Sequence, residues 1–215
     1  MKVPKIQSNE KDRLQNLNKF EILDSHSQLE YDQITYLATL VCSTPIALIS
    51  FIDHDRQWIK SKIGITKSQY PRAISFCAHT INDEKGFMEV ENAHGDLRFN
   101  DNPLVTESPQ ICFYAGVNLI TSEGFPIGTL SVIDHKPRKL NEDELLGLEA
   151  LSGQIMKLLE LRLKNIEMNS KLAEFRGKIE ELDLLTKALS HDLEQPFKAL
   201  EGFKKLLEKK HTDRS

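Results

Sequence analysis

No proline occurs between Pro137 and Pro196, and across that interval apolar residues recur in alternating steps of three and four. The series runs Leu151, Gln154, Leu158, Leu161, Asn165, Met168, Leu172, Phe175, Ile179, Leu182, Thr186, Leu189 and Leu193. A stripe with a mean period of about 3.5 marks a coiled-coil seam, because it keeps one edge of a helix turned to a partner. Asn141 offers an N-cap, and Glu142, Asp143 and Glu144 put carboxylates in the first turn, where the helix dipole favours them. A helix from Asn141 to Gln195 would run roughly 80 Å, too long to find a matching partner within one compact domain. The seam is therefore expected to pair with a second copy, giving a parallel homodimer through residues 151–193, with Asn165 in the seam fixing register. The competing expectation is a single helix that lays this stripe on its own domain.

The texture ahead of that helix is different. Residues 1–12 are polar and are expected to be loose. Leu14, Leu17 and Phe20, then Ile34, Leu37, Ala38 and Val41, have helical spacing on either side of a break at Ile22-Leu23-Asp24-Ser25. Asp24, Ser25 and Ser27 are candidate caps for the second of these helices. Strand-length runs at 46–52 and 57–62 flank turn chemistry at Asp53-His54-Asp55-Arg56, and a second hairpin joins 112–120 to 126–134 around Ser122-Glu123-Gly124. A short helix from Ser75 to Ile81, a short strand from Phe87 to Val90 and a polar loop from Asn92 to Pro109 lie between the hairpins. Turn-linked strands with helices at both ends indicate an α+β fold, an antiparallel sheet flanked by helices.

A net charge of −4 gives no reason to expect a nucleic-acid partner, and no apolar run approaches the roughly 20 residues of a membrane span. The start of the chain lacks the apolar stretch of a secretory signal, so the cytoplasm is the expected compartment. Cys42, Cys77 and Cys112 are widely separated, which points to reduced, buried thiols rather than disulfides or a zinc site. Asp53, His54, Asp55, His79, His94, Asp96 and His135 are metal-capable but lack ligand spacing, so turn-forming roles are expected and no metal.

Arg13-Leu14, Ile22-Leu23-Asp24, Pro45 to Ser50, Asp53 to Trp58, Ser75 to His79, Arg98-Phe99, Asp101 to Val105, Phe113 to Gly116 and Ile127 to Leu130 together resemble the successive landmarks of a GAF domain. The match is to the subgroup found ahead of bacterial histidine kinases and cyclic-dinucleotide enzymes. The resemblance implies a pocket for an unknown small-molecule ligand between sheet and helices. Phe76, Cys77, Phe113 and Tyr114 are either its lining or plain core. The signature of cyclic-nucleotide-binding members is not recognisable. Cys77-Ala78-His79 differs from a chromophore attachment site in having Ala78 between cysteine and histidine.

Further along, Leu189-Ser190-His191-Asp192-Leu193-Glu194-Gln195-Pro196-Phe197 resembles the phosphoacceptor box of two-component histidine kinases. The resemblance implies His191 as phosphoacceptor, Asp192 as the group that accepts or orients its second proton, and Gln195 as a possible dephosphorylation residue. The chemistry fits these types: a neutral imidazole attacks the γ-phosphate of ATP, and a carboxylate across the ring keeps it nucleophilic. Pro196 removes a helix hydrogen bond beside the box. Glu194 departs from the family, which has Arg or Lys there, and places negative charge near an incoming triphosphate.

The organisation expected is therefore a polar tail over 1–12, a GAF-like sensory domain over 13–160, a coiled-coil signalling helix over 161–186 and a truncated phosphoacceptor and dimerisation segment over 187–215. No phosphate-binding glycine motif occurs among the ten glycines, so no cofactor is expected in this chain. ATP would come only through a missing or separate kinase domain, and without that domain the chain should be inactive. The expected partners are a second copy, the kinase ATP-binding domain and a response regulator, with no nucleic acid and no membrane. The alternative is a non-enzymatic GAF interaction protein in which the box is vestigial.

Overall fold

The computed structural model describes residues 1–212, apart from the side chains at 191–193, 195, 203 and 205–212. The chain divides into two units, Met1–Leu163 and Lys164–Ser215.

The first unit opens with helices α1 (Glu10–Lys19) and α2 (Leu29–Cys42). Strands β1 (Ile46–Ile52) and β2 (Arg56–Ile63) form the first hairpin, and β5 (Phe113–Ile120) and β6 (Pro126–Asp134) form the second. Between them lie β3 (Gln69–Pro71), a 3-10 turn at Arg72–Ile74, α3 (Phe76–Thr80), β4 (Phe87–Val90) and α4 (Pro103–Thr106). The sheet is fully antiparallel in the order β3-β2-β1-β6-β5-β4. β3 falls in a stretch for which the sequence pattern names no element, and α4 falls inside the loop expected from Asn92 to Pro109. They are too short to show a period, and their pairing or packing, not their propensity, forms them.

Alternation along the strands divides the interior into two cores. One face places Ala47, Ile49, Phe51, Phe113, Ala115 and Val117 under α1, α2 and the start of α5 (Glu142–Thr212). The other places Leu48, Ile52, Ile59, Tyr114 and Ile133 under α3, α4 and the long loop. α5 begins with a reciprocal capping box: Asn141 Oδ1 accepts from the Glu144 amide at 2.9 Å, and Glu144 Oε2 accepts from the Asn141 amide at 2.9 Å.

Three expectations need correction. Residues 1–9 are not loose, since Lys2 donates its amide to the Arg98 carbonyl, Gln7 donates to the Ile81 carbonyl and Asn82 donates to the Lys5 carbonyl. None of the residues named as caps for α2 holds that place: Gln28 is the N-cap, without a side-chain bond. Asp24 instead pairs with Arg56, and Ser27 donates to Asp32. The first turns of the stripe expected to form a seam from Leu151 onward are not free to pair. Leu148, Ile155 and Leu159 are fully buried against the sheet, with Leu151 and Leu158 half-buried beside them, so this part of α5 packs on its own domain.

The second unit is the continuation of α5. The stripe side chains Met168, Leu172, Phe175, Ile179, Leu182 and Leu189 are all exposed. Lys178–Glu174, Lys187–Asp183 and Lys198–Glu194 pair at one-turn spacing along the helix. Among the described residues no helix is long and apolar enough to cross a membrane.

Candidate functional site

The pocket region lies on the α3 face of the sheet. Ser75 caps α3 by accepting from the Ala78 amide at 3.0 Å, and the same hydroxyl donates to Gln57 Oε1 at 2.6 Å. Gln57 Nε2 in turn donates to Ser50 Oγ at 2.9 Å, which ties α3 to β2 and β1 through a buried polar chain. Phe76 stacks on Phe99 at 4.0 Å and leans on Tyr114 at 5.2 Å. The Tyr114 hydroxyl shares a hydrogen bond with Thr80 Oγ1 at 2.7 Å and lies 3.5 Å from Cys77 Sγ. Burial pushes the Tyr114 phenol well above its ordinary range, so it remains a neutral donor and acceptor.

Phe76, Cys77 and Tyr114 line a cavity with Leu48, Gln57 and Tyr70, but Phe113 does not. Neighbouring residues of a strand point to opposite faces, so Phe113 packs under α1 and α2 instead. Parity along β5 carries that signal in the sequence. The cavity measures about 20 Å³, room for roughly one water and far below the ~300 Å³ at which small-molecule pockets begin.

Gly116 keeps this region in place. A Cβ at that position would lie 2.3 Å from the Tyr114 hydroxyl, and the fully buried tyrosine has nowhere to move. Gly116→Ala is expected to cost about 2 kcal/mol by overpacking, read as a lower urea midpoint at unchanged slope.

Cys77 and His79 point in different directions from α3, as residues two apart on a helix must. Cys77 faces the sheet, with Ser131 Oγ at 3.9 Å. His79 Nε2 lies 3.0 Å from the Lys2 carbonyl, and its ring meets Phe99 edge-on at 4.9 Å. Burial lowers the pKa of His79. All three cysteines are free and buried, and burial pushes the Cys42 thiol up to about 11. Asp53 and Asp96 serve turns, accepting from the amides of His54 and Arg98.

The other expected site falls within α5, which continues through residues 191–195. The side chains of His191, Asp192 and Gln195 lie outside the described residues. Glu194 is described: its carboxylate accepts from Lys198 Nζ at 3.0 Å. Both charges are exposed, so the pair contributes little to stability.

The profile of the GAF domain family matches residues 23–159. The chain belongs to the GAF domain family. A Pseudomonas aeruginosa protein named cyclic di-GMP phosphodiesterase is 41% identical over 157 residues, 73% of this chain and 27% of that protein. This GAF chain thus spans about a quarter of the length of that curated relative. Among solved structures, the GAF domain region of a Geobacter sulfurreducens protein aligns with a TM-score of 0.51 at 18% identity, covering 72% of this chain and 99% of that one. The Thermosynechococcus elongatus PixJ GAF domain, in its blue-light absorbing form, aligns with a TM-score of 0.52 at 12% identity, covering 78% and 96%. At such identities the likeness is one of fold. The relative is a phosphodiesterase by name, so the histidine kinase assignment rests on the box around His191 alone.

Proposed function

We propose that this GAF protein is the sensory input part of a two-component histidine kinase system, and that its signal reaches phosphoacceptor His191 through a dimeric α5. What supports the reading is a single observation: one helix, Glu142–Thr212, packs its first turns in the core of the sensory domain and runs on through the segment that resembles a phosphoacceptor box. Leu148, Ile155 and Leu159 are rooted against the sheet, so a change in sheet packing bears directly on that helix. The exposed stripe from Leu161 to Leu189 supplies the dimer seam, shorter than the 151–193 of the sequence pattern. Asp192 orients the imidazole, and Gln195 positions water for dephosphorylation. ATP arrives on a kinase ATP-binding domain, and a response regulator takes the phosphoryl group.

The full chain, incubated with ATP and a separate kinase ATP-binding domain, is expected to acquire acid-labile phosphate that His191→Gln abolishes. If a control substrate is labelled while this chain is not, the reading fails.

A second reading draws on the 41% identity to a protein named for cyclic di-GMP hydrolysis. In it, the GAF domain regulates cyclic-dinucleotide turnover as a non-enzymatic interaction module and the box is vestigial. Signalling that survives His191→Gln in cells favours this alternative.

A further inference from the structure

On the opposite side of the sheet from the α3 cavity, a polar groove of about 560 Å³ opens beside the N-terminal end of α2. It is bordered by Ser25, Ser27, Lys60, Ser61, Lys62 and Ser68. We propose that this groove binds a small phosphate- or carboxylate-bearing ligand whose oxyanion group is held by the Lys60 ammonium.

The backbone aims Lys60 there. In the β1–β2 ladder Ile49 pairs with Ser61 and Ser50 with Ile59, so Lys60 is an extra residue without a partner, a β-bulge. The bulge interrupts the alternation that Gln57-Trp58-Ile59-Lys60 begins, and it brings Lys60 and Ser61 together on the α2 side. Ser61 accepts from Thr35 at 2.8 Å and donates to Asp32 at 2.6 Å, both on α2. Lys60 is only 6% exposed, and its Nζ sits 5.1 Å from the Tyr31 ring centroid.

The charges around it are unevenly matched. Lys60 donates to the Ser25 hydroxyl at 2.8 Å and to the His26 carbonyl, both neutral, and among the described residues it makes no ion pair. Two acceptors serve three ammonium donors. The carboxylates bordering the groove are already engaged: Asp24 forks with Arg56, and Asp32 accepts from Ser27 and Ser61. A buried cation without a paired counter-charge is costly, and an oxyanion in the groove supplies one. Burial, with Arg162 of α5, pushes the ammonium down to about 8, against the opposing fields of Asp32 and Glu30. Lys62, the remaining cation at the groove, is bonded to Thr66 and Ser68.

The test uses the full chain and its single tryptophan, because Trp58 borders the groove. Malonate and inorganic phosphate are titrated separately while Trp58 fluorescence is followed. A saturable change with either probe is expected, and the probe that binds more tightly identifies the group on the natural ligand. Lys60→Met should weaken binding by about tenfold or more, whereas Lys60→Arg should retain it. In the unaltered protein malonate, fully ionised throughout, should bind about tenfold more weakly at pH 9 than at pH 7 as Lys60 loses its proton. That arm decides the matter even if Lys60→Met fails to fold. No saturable change with either probe, or malonate binding independent of pH, overturns the proposal. His191→Gln should leave these titrations unchanged, so they are separable from the kinase reading.

Discussion

Replacing Leu172 and Ile179 together with Asp should turn a dimer into a monomer. Leu172, Phe175, Ile179 and Leu182 are exposed by 48%, 61%, 65% and 62% in the single chain, and they follow one another at steps of three and four. Burying each against a second copy contributes roughly 1.5–3 kcal/mol, and the double substitution removes four such side chains from a parallel pair. The expected loss is thousandfold or more in dimer affinity, on the order of 4 kcal/mol at least. Sedimentation at about 10 μM should show the double variant at half the mass of the unaltered chain, with the sheet domain's thermal transition intact. A monomeric parent, or a variant that still dimerises equally well, would show that the stripe serves something other than self-association.

The second large effect is in the first unit. Glu10→Gln is expected to cost about 3 kcal/mol and lower the midpoint of thermal unfolding by roughly 10 °C. Arg13 is completely buried and forks onto Glu10 at 2.9 and 2.7 Å, and Arg72 reaches the same carboxylate at 2.6 Å. Arg72 also donates to the carbonyls of Asp53 and His54, so one carboxylate joins α1 to the β1–β2 turn. Without the negative charge, two buried guanidinium groups are left without a counter-charge. Burial by itself would raise the Glu10 carboxyl, but the hydrogen bonds from Arg13 and Arg72 and their charges hold it at about 2, below its ordinary 4.5. Because the folded value is depressed, this stabilisation is present above pH 4.5 and is lost as pH falls toward 2. Denaturant titrations at pH 7 and pH 3 should show the parent losing more stability on acidification than Glu10→Gln, by about 2 kcal/mol.

Much of this molecule is readable before any coordinates. The 46–52 and 126–134 runs, the turns between strands and the Asn141 N-cap announce themselves by local pattern, because strand alternation and helix capping act over only a few residues. Of the pocket set, Phe76, Cys77 and Tyr114 do meet at one cavity, whereas Phe113 belongs to the other core. The size of that cavity was not legible, since it depends on how closely α3 and α4 settle on the sheet. Nor was the tie of Lys2, Lys5 and Gln7 to the α3 region, because those contacts join residues more than seventy positions apart.

The division has a physical basis. The sequence by itself determined which residues alternate, where helices start, and that an apolar stripe runs far past the sensory domain, for these are periodicities of a single chain. Only the tertiary structure decided that the stripe's first turns, around Leu151 and Leu158, are covered by their own sheet, and that a bulge brings Ser61 onto the α2-side face beside Lys60. A period says which side chains share a face, but what covers that face depends on elements brought together by packing.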